Sequence, residues 1–287
     1  MSGRNWRDRF KKGNREPPIE DRIIFATIFP TCENVTLIKD VGMIPYTLHR
    51  DFGYDSYLFC YKNGEYSYAE TEVLGLKLQF MVRTVMSRFI TKIGKSIRGR
   101  NSSVADTLDL FSTVLDAFFL LIKCGRQINV LNLISLKWES IILGHIYKMV
   151  NRRGILYLKL DMNPDIIKFY EEHPWKLKAS RRSIFFPEFD IISVETRNLY
   201  RFLKAQHPVL RRFKHSIHYV PNGVDSERLS PFLRSHESKQ DIILYVGRIT
   251  HHPKRSELLL EAFAGISAEF PNWRLLLIGP MESGFRR

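Results

Sequence analysis

Acidic residues are in short supply, cysteine is scarce, and no long apolar run occurs. Asp and Glu number 30 against 44 Lys and Arg, giving a formal charge of +14. Such a surplus calls for an anionic partner and leaves nucleic acid, anionic lipid and phosphorylated substrates open. Cys32, Cys60 and Cys124 are odd in number and far apart in sequence. With no Cys-x-x-Cys pair, neither a zinc site nor a redox dithiol is expected, and reduced core thiols are the reading. No stretch offers the roughly 18 apolar residues of a membrane span, because Leu108 to Ile122 is interrupted by Asp109 and Asp116. The opening residues are basic and polar with no apolar centre, so no secretory signal is read and a cytoplasmic location is expected.

What is present suits a buried core. The chain has 287 residues, 44% hydrophobic and 13% aromatic, which is long for one domain and ordinary for two. Residues 1–20 read as a disordered basic tail, since charge and Pro17-Pro18 outweigh anything that could pack. From Arg22 the pattern alternates. "RIIFATIF" is strand-like, Asn34 to Phe52 carries apolar residues at helical spacing, and "SYLFCY" is again strand-like. "INVLNLI", "GILYLKL", "DIISV" and "SIHYV" follow as strands, with helical patterns at Thr107–Lys123, Lys137–Asn151 and Glu195–Ala205. This order predicts an α/β domain over residues 21–220, a parallel sheet covered by helices.

"VPNGVD" is the strongest punctuation. Pro221 fixes φ, and Asn222 and Gly223 can take the left-handed conformations of a tight turn, so they are read as an interdomain hinge. Strand, helix, strand then restarts with "DIILYVG", "SELLLEAFAGISAEF" and "WRLLLIG". Residues 221–287 hold one such unit, short of the roughly 100 residues of a whole domain, and the second domain is expected to be incomplete.

Ligands of open α/β sheets sit outside the carboxyl ends of the strands, where helix N-termini favour anions. Gly247-Arg248 is such a strand end, and Pro253 suits a first helical position, which puts Lys254 in the first turn. A cation there disfavours the helix unless a phosphate answers it. Arg248 and Lys254 together could neutralise a diphosphate. A solvated Arg and Lys on an ordinary loop is the other reading of the same spacing.

"YVPNGVD", "ILYVGRI", Lys254 ahead of "LLLEAFAGI" and "LLLIGP" together resemble the start of the C-terminal domain of GT-B glycosyltransferases of family 4. "KDVGMIPYTLHRDFGYDSYLF" resembles their first loop and helix, with Val41-Gly42 where Gly-Gly is usual, and "LYLKLDM" resembles a strand ending in His-Asp in many relatives. The resemblance implies two Rossmann-like domains, an N-terminal acceptor domain (21–220) and a partial donor domain (221–287). It implies a retaining hexosyltransferase that takes a nucleotide diphosphate sugar as donor and a saccharide, polymer or lipid as acceptor. Gly247, Arg248 and Lys254 then hold the donor diphosphate, Gly42 lets backbone approach the donor, and Asp161 and Lys159 are the catalytic candidates. Leu160 stands where those relatives have His, which removes a catalytic histidine. No cofactor and no metal are implied, since the two cations replace the charge a metal would supply. The family's paired glutamates have no counterpart in the sequence, so the chain alone is expected to bind nucleotide weakly and turn over little. A non-catalytic or split subunit of the same ancestry is the alternative.

Between Glu72 and Asp106 stand Lys77, Arg83, Arg88, Lys92, Lys95, Arg98 and Arg100 with no acid, and Val82, Val85, Met86, Phe89, Ile90, Ile93 and Ile97 interleave at helical spacing. Two readings stay open. Such a helix can lie on an anionic membrane at the cytoplasmic face through Arg88, Lys92 and Lys95, or it can pack its apolar side on the core. A nucleic-acid-binding role is disfavoured because the aromatics lie inside apolar runs rather than among the bases. His251-His252 lacks the carboxylate or thiol company of a metal site, and Arg211, Arg212 and Lys214 read as a solvated turn.

Overall fold

The computed structural model describes residues 23–285 apart from 31, 33, 38, 63–71, 74, 100, 163–166, 169–171, 174–185, 208–209, 234–238, 252–253 and 283–284. The basic tail at 1–20, Arg100, His252 and Pro253 lie outside the described residues. The chain divides into two compact units, residues 1–222 and 223–287.

The first unit is built on an eight-stranded sheet in the order β3-β4-β2-β1-β5-β6-β7-β8. Its strands are β1 (Ile24–Ile28), β2 (Asp55–Cys60), β3 (Glu72–Val73), β4 (Leu76–Phe80), β5 (Val130–Ile134), β6 (Ile155–Leu160), β7 (Ile191–Val194) and β8 (Ile217–Tyr219). All pair in parallel except β3, which runs antiparallel to β4. The central strands are mostly apolar and buried on both faces, with Leu58, Leu131, Leu156, Leu158 and Ile192 fully buried and a few polar residues such as Thr27, Asn132 and Lys159 enclosed among them. The order reverses between β1 and β5, which makes that crevice the topological switch point.

Helices α1 (Asn34–Leu37) and α2 (Asp40–Phe52) follow β1, where the sequence pattern predicts a single helix. The break is a close approach of backbone. A Cβ at Gly42 would lie 2.1 Å from the carbonyl oxygen of Leu37. Gly42 N and Met43 N both donate to Lys39 O, which restarts the helix after the bend. The remaining helices of this unit are α3 (Val85–Ile97), α4 (Ser102–Cys124), α5 (Trp138–Val150) and α6 (Arg197–Ala205). The sequence reading misses β3 and β4, although Leu76–Phe80 alternates apolar residues with Lys77 and Gln79 as a half-buried strand does. The three cysteines are buried and form no disulfide with one another. Cys32 and Cys60, distant in sequence, share one small core cluster, and the Cys60 thiol is pushed up by a hydrogen bond with Cys32 and by burial.

The tight turn read into Asn222-Gly223 does not form. Among the described residues positive φ occurs at Gly53, Gly75, Ser135, Arg255 and Gly279, and at neither hinge residue. Val220 N still donates to Val194 O, and a short helix, α7 (Ser226–Leu229), follows. The exposed residues between them connect without a reversal that would require left-handed backbone.

The second unit pairs β9 (Ile242–Val246) in parallel with β10 (Arg274–Ile278), joined through α8 (Ser256–Ile266). Gly279, with φ 150, stands against Gly247, where a Cβ would meet the Gly247 carbonyl oxygen at 1.9 Å. Only glycine allows the two strand ends this contact.

Candidate functional site

In each unit the side chains of interest gather beyond the carboxyl ends of the parallel strands. In the first unit Lys159, near the end of β6, is 2% exposed. Its Nζ lies 2.6 Å from Glu195 Oε1, just past β7, and 2.9 Å from Asp40 Oδ2, at the start of α2. Burial works to lower the Lys159 pKa, but the hydrogen bonds and charges of Glu195 and Asp40 outweigh it and raise the pKa above its ordinary value. The ammonium therefore stays protonated and has no capacity to accept a proton. Its chemistry is to fix two carboxylates, with the cluster carrying one net negative charge.

Asp40 and Glu195 are absent from the sequence reading. Their signal was position: Glu195 directly follows a strand and precedes the helix cap Thr196, whose hydroxyl accepts from Leu199 N. Asp40 opens a helix, where a carboxylate meets the positive end of the dipole. Nearby, Ser135 follows β5 with φ 65, and its N–H donates to Lys159 O. A non-glycine residue in left-handed backbone marks a place where tertiary structure overrides local preference.

Asp161 is exposed just past β6, apart from the Lys159 ion pairs. Gly42 is buried within α2, and the space a Cβ would take is filled by the chain's own Leu37 backbone. Its lack of a side chain is accounted for by packing inside the unit.

In the second unit Gly247, Arg248 and Lys254 lie on the loop from β9 to α8, with both cations exposed. The loop is closed by a reciprocal pair: Ser256 N donates to Thr250 O at 3.0 Å, and Thr250 N donates to Ser256 Oγ at 3.2 Å. Tyr245 Oη donates to Arg248 O, pinning the other end. The expected first-turn place for Lys254 is corrected, because α8 starts at Ser256 behind Arg255 in left-handed backbone (φ 48). The 250–256 closure sets that start one turn later than the sequence suggests and leaves Lys254 in the loop. Thr250 Oγ1 is buried there without a hydrogen-bond partner. The two cations of the loop are exposed, whereas the orphaned hydroxyl is shut off from solvent.

His251 Nδ1 stands 3.4 Å from Glu257 Oε2. Among the described residues no group of three or more His, Cys, Asp or Glu side chains is arranged to hold a metal ion.

No family model and no curated protein matches the sequence. Solved structures do share its fold. The N-terminal domain of Candida albicans trehalose-6-phosphate phosphatase matches at a TM-score of 0.56 and 11% identity, over 93% of this chain and 65% of that one. An OtsA apo structure matches at 0.51 and 10%, over 92% and 66%. A putative UDP-N-acetylglucosamine 2-epimerase from Listeria monocytogenes matches at 0.50 and 12%, over 92% and 64%. This chain thus spans slightly less than two thirds of the length of these structures. Identity this low shows the fold alone, which is Rossmann-like α/β of the GT-B class.

Proposed function

We propose that this chain takes part in moving a hexose from a nucleotide diphosphate sugar to an acceptor hydroxyl, with retention of anomeric configuration and without a metal. The observation that carries the reading is the β9–α8 loop, where Arg248 and Lys254 are both exposed past a strand carboxyl end. Two of the fold relatives have names tied to UDP-N-acetylglucosamine and to trehalose-6-phosphate, chemistry in keeping with a sugar phosphate at such a loop.

Transfer breaks the bond between the anomeric carbon and a diphosphate oxygen, which keeps the electron pair, while the acceptor oxygen bonds to that carbon and releases its proton. Charge builds on the departing diphosphate. Guanidinium and ammonium groups aimed there stabilise it more in the transition state than in the bound donor. Gly247 keeps the backbone open beside them. In the first unit, Lys159 holds Asp40 and Glu195 ready to accept hydrogen bonds from hydroxyls, and Asp161 is the exposed carboxylate that serves the acceptor.

The test is calorimetry with UDP-, GDP- and ADP-glucose, followed by a donor-hydrolysis and transfer assay. Arg248→Ala and Lys254→Ala should each lower kcat/KM by about 30-fold or more, an expected loss on the order of 2 to 4 kcal/mol. Absence of nucleotide binding by the parent, or unchanged turnover in both variants, would overturn the reading.

A further inference from the structure

Helix α3 is packed in an unusual sense. Its buried positions are the small residues Ser87 and Gly94. A Cβ at Gly94 would meet the Ala105 carbonyl oxygen at 3.4 Å and Leu108 Cβ at 3.6 Å, so backbone lies close to α4. Polar contacts secure the same side. Asp116 of α4 accepts from Thr84 N at 2.9 Å and from Tyr61 Oη at 2.6 Å. Arg83 donates to Thr91 Oγ1 and Ser112 Oγ and stacks over the Tyr61 ring.

The large apolar side chains consequently face outward. Val85 is 79% exposed, Met86 62%, Phe89 65% and Ile93 40%, with Val82 just before the helix 68% exposed. Wound at about 3.6 residues per turn, Val85, Met86, Phe89 and Ile93 form one arc, and the exposed bases Arg88, Lys92 and Lys95 form the arc beside it. Arg98 does not belong to that basic arc, because it is bound to Asp106 and Asp109 of α4. Of the two open readings of this helix, packing of the apolar arc on the core is the one the structure rules out.

We propose that α3 is a membrane-surface helix that lays its Val85–Met86–Phe89–Ile93 arc into an anionic lipid bilayer while Arg88, Lys92 and Lys95 engage lipid phosphates. An apolar arc alone would suit many occupants. Cations along its border select a surface that is apolar inside and anionic at its rim, which is the profile of an anionic membrane. Two copies meeting through this arc would bring six cations together without an answering acid. The attachment is peripheral, since among the described residues no helix is long and apolar enough to span a membrane. The inference is independent of the sugar-transfer reading.

Flotation with phosphatidylglycerol/phosphatidylcholine vesicles and with pure phosphatidylcholine vesicles tests it, using the whole chain. Binding to the anionic vesicles and its release by added salt are expected. Lys92→Gln with Lys95→Gln should weaken binding by about 30-fold, and Phe89→Ser by about tenfold. Thermal unfolding of both variants within about 2 °C of the parent would show that the fold is kept, as the replaced side chains are exposed. Should Phe89→Ser fail to fold, the lysine variant still decides. No binding to anionic vesicles, equal binding to both vesicle types, or a vesicle-free dimer abolished by Phe89→Ser would each overturn the proposal.

Discussion

Two regions of this molecule place cations beyond the carboxyl ends of parallel strands, and they use them in opposite ways. In the first unit Lys159 is enclosed and satisfied by Asp40 and Glu195. In the second, Arg248 and Lys254 are exposed on one loop. The same location in the same kind of βαβ layer therefore holds an ion-paired, buried cation in one case and exposed cations in the other. What separates them is desolvation: a buried ammonium must be paired within the protein, whereas an exposed one keeps its water until a ligand replaces it.

The largest expected effect breaks this comparison outright. Lys159→Met removes the shared partner of two carboxylates and should destabilise the chain by about 3 kcal/mol, whereas Arg248→Ala and Lys254→Ala should change stability by no more than about 0.5 kcal/mol. Urea unfolding of the three variants checks it. Equal losses at all three sites would remove the distinction between the paired and the exposed cations.

A second expectation, somewhat smaller, concerns the buried imidazole of His207. Burial pushes the His207 imidazole down to about 4 from its ordinary 6.5, and its Nδ1 accepts a hydrogen bond from Leu210 N. The folded pKa lies below the unfolded one, so the unfolded chain binds the extra proton first. The stabilisation is complete above pH 6.5 and is lost as pH falls through the window down to about 4. At about pH 5 the loss should be about 2 kcal/mol. Lys159, with its raised pKa, adds nothing to that acid slope. His207→Asn, which keeps an acceptor and does not titrate, should flatten the slope in unfolding measured from neutral to acid pH; an unaltered slope would assign it elsewhere.

The smallest effect sharpens the comparison at the loop. Arg255 holds φ 48 just before α8, a conformation that costs a non-glycine residue on the order of 1 kcal/mol. Arg255→Gly should leave stability unchanged or raise it by up to that amount while preserving nucleotide binding, because the cations assigned to the anion are Arg248 and Lys254. A loss of binding as large as that of Arg248→Ala would add Arg255 to the site.

Much of the fold was legible because apolar runs and their spacing report burial. β1 and β5 to β10 fall inside the strands read from sequence and β2 begins one residue before its reading; α5 and α6 lie where helical spacing puts them, and α4 begins five residues earlier, at Ser102. Strands β3 and β4, at one end of the sheet, were missed: β3 is only two residues long, and Leu76–Phe80, which alternates apolar and polar residues as a strand does, was taken up in the basic stretch that follows it. The site was legible in its local part only. Arg248 and Lys254 stand two and eight residues past the end of β9 and share a loop. The Asp40–Lys159–Glu195 cluster joins three segments through the register of β6 with β7 and the path of α2, and no local pattern encodes that.

Sequence alone thus determined the alternation that makes parallel sheets, the basic arc beside an apolar arc on residues 85–97, and the two cations at the end of β9. Tertiary structure decided which charges are already spent, that α8 starts after rather than at Lys254, and which side of α3 faces inward. The physical reason is the same each time. Periodicity records that a helix has distinct sides, but contact with Asp116, Ala105 and Leu108 chooses the buried side, and a buried charge is settled by partners that only the folded chain brings within reach.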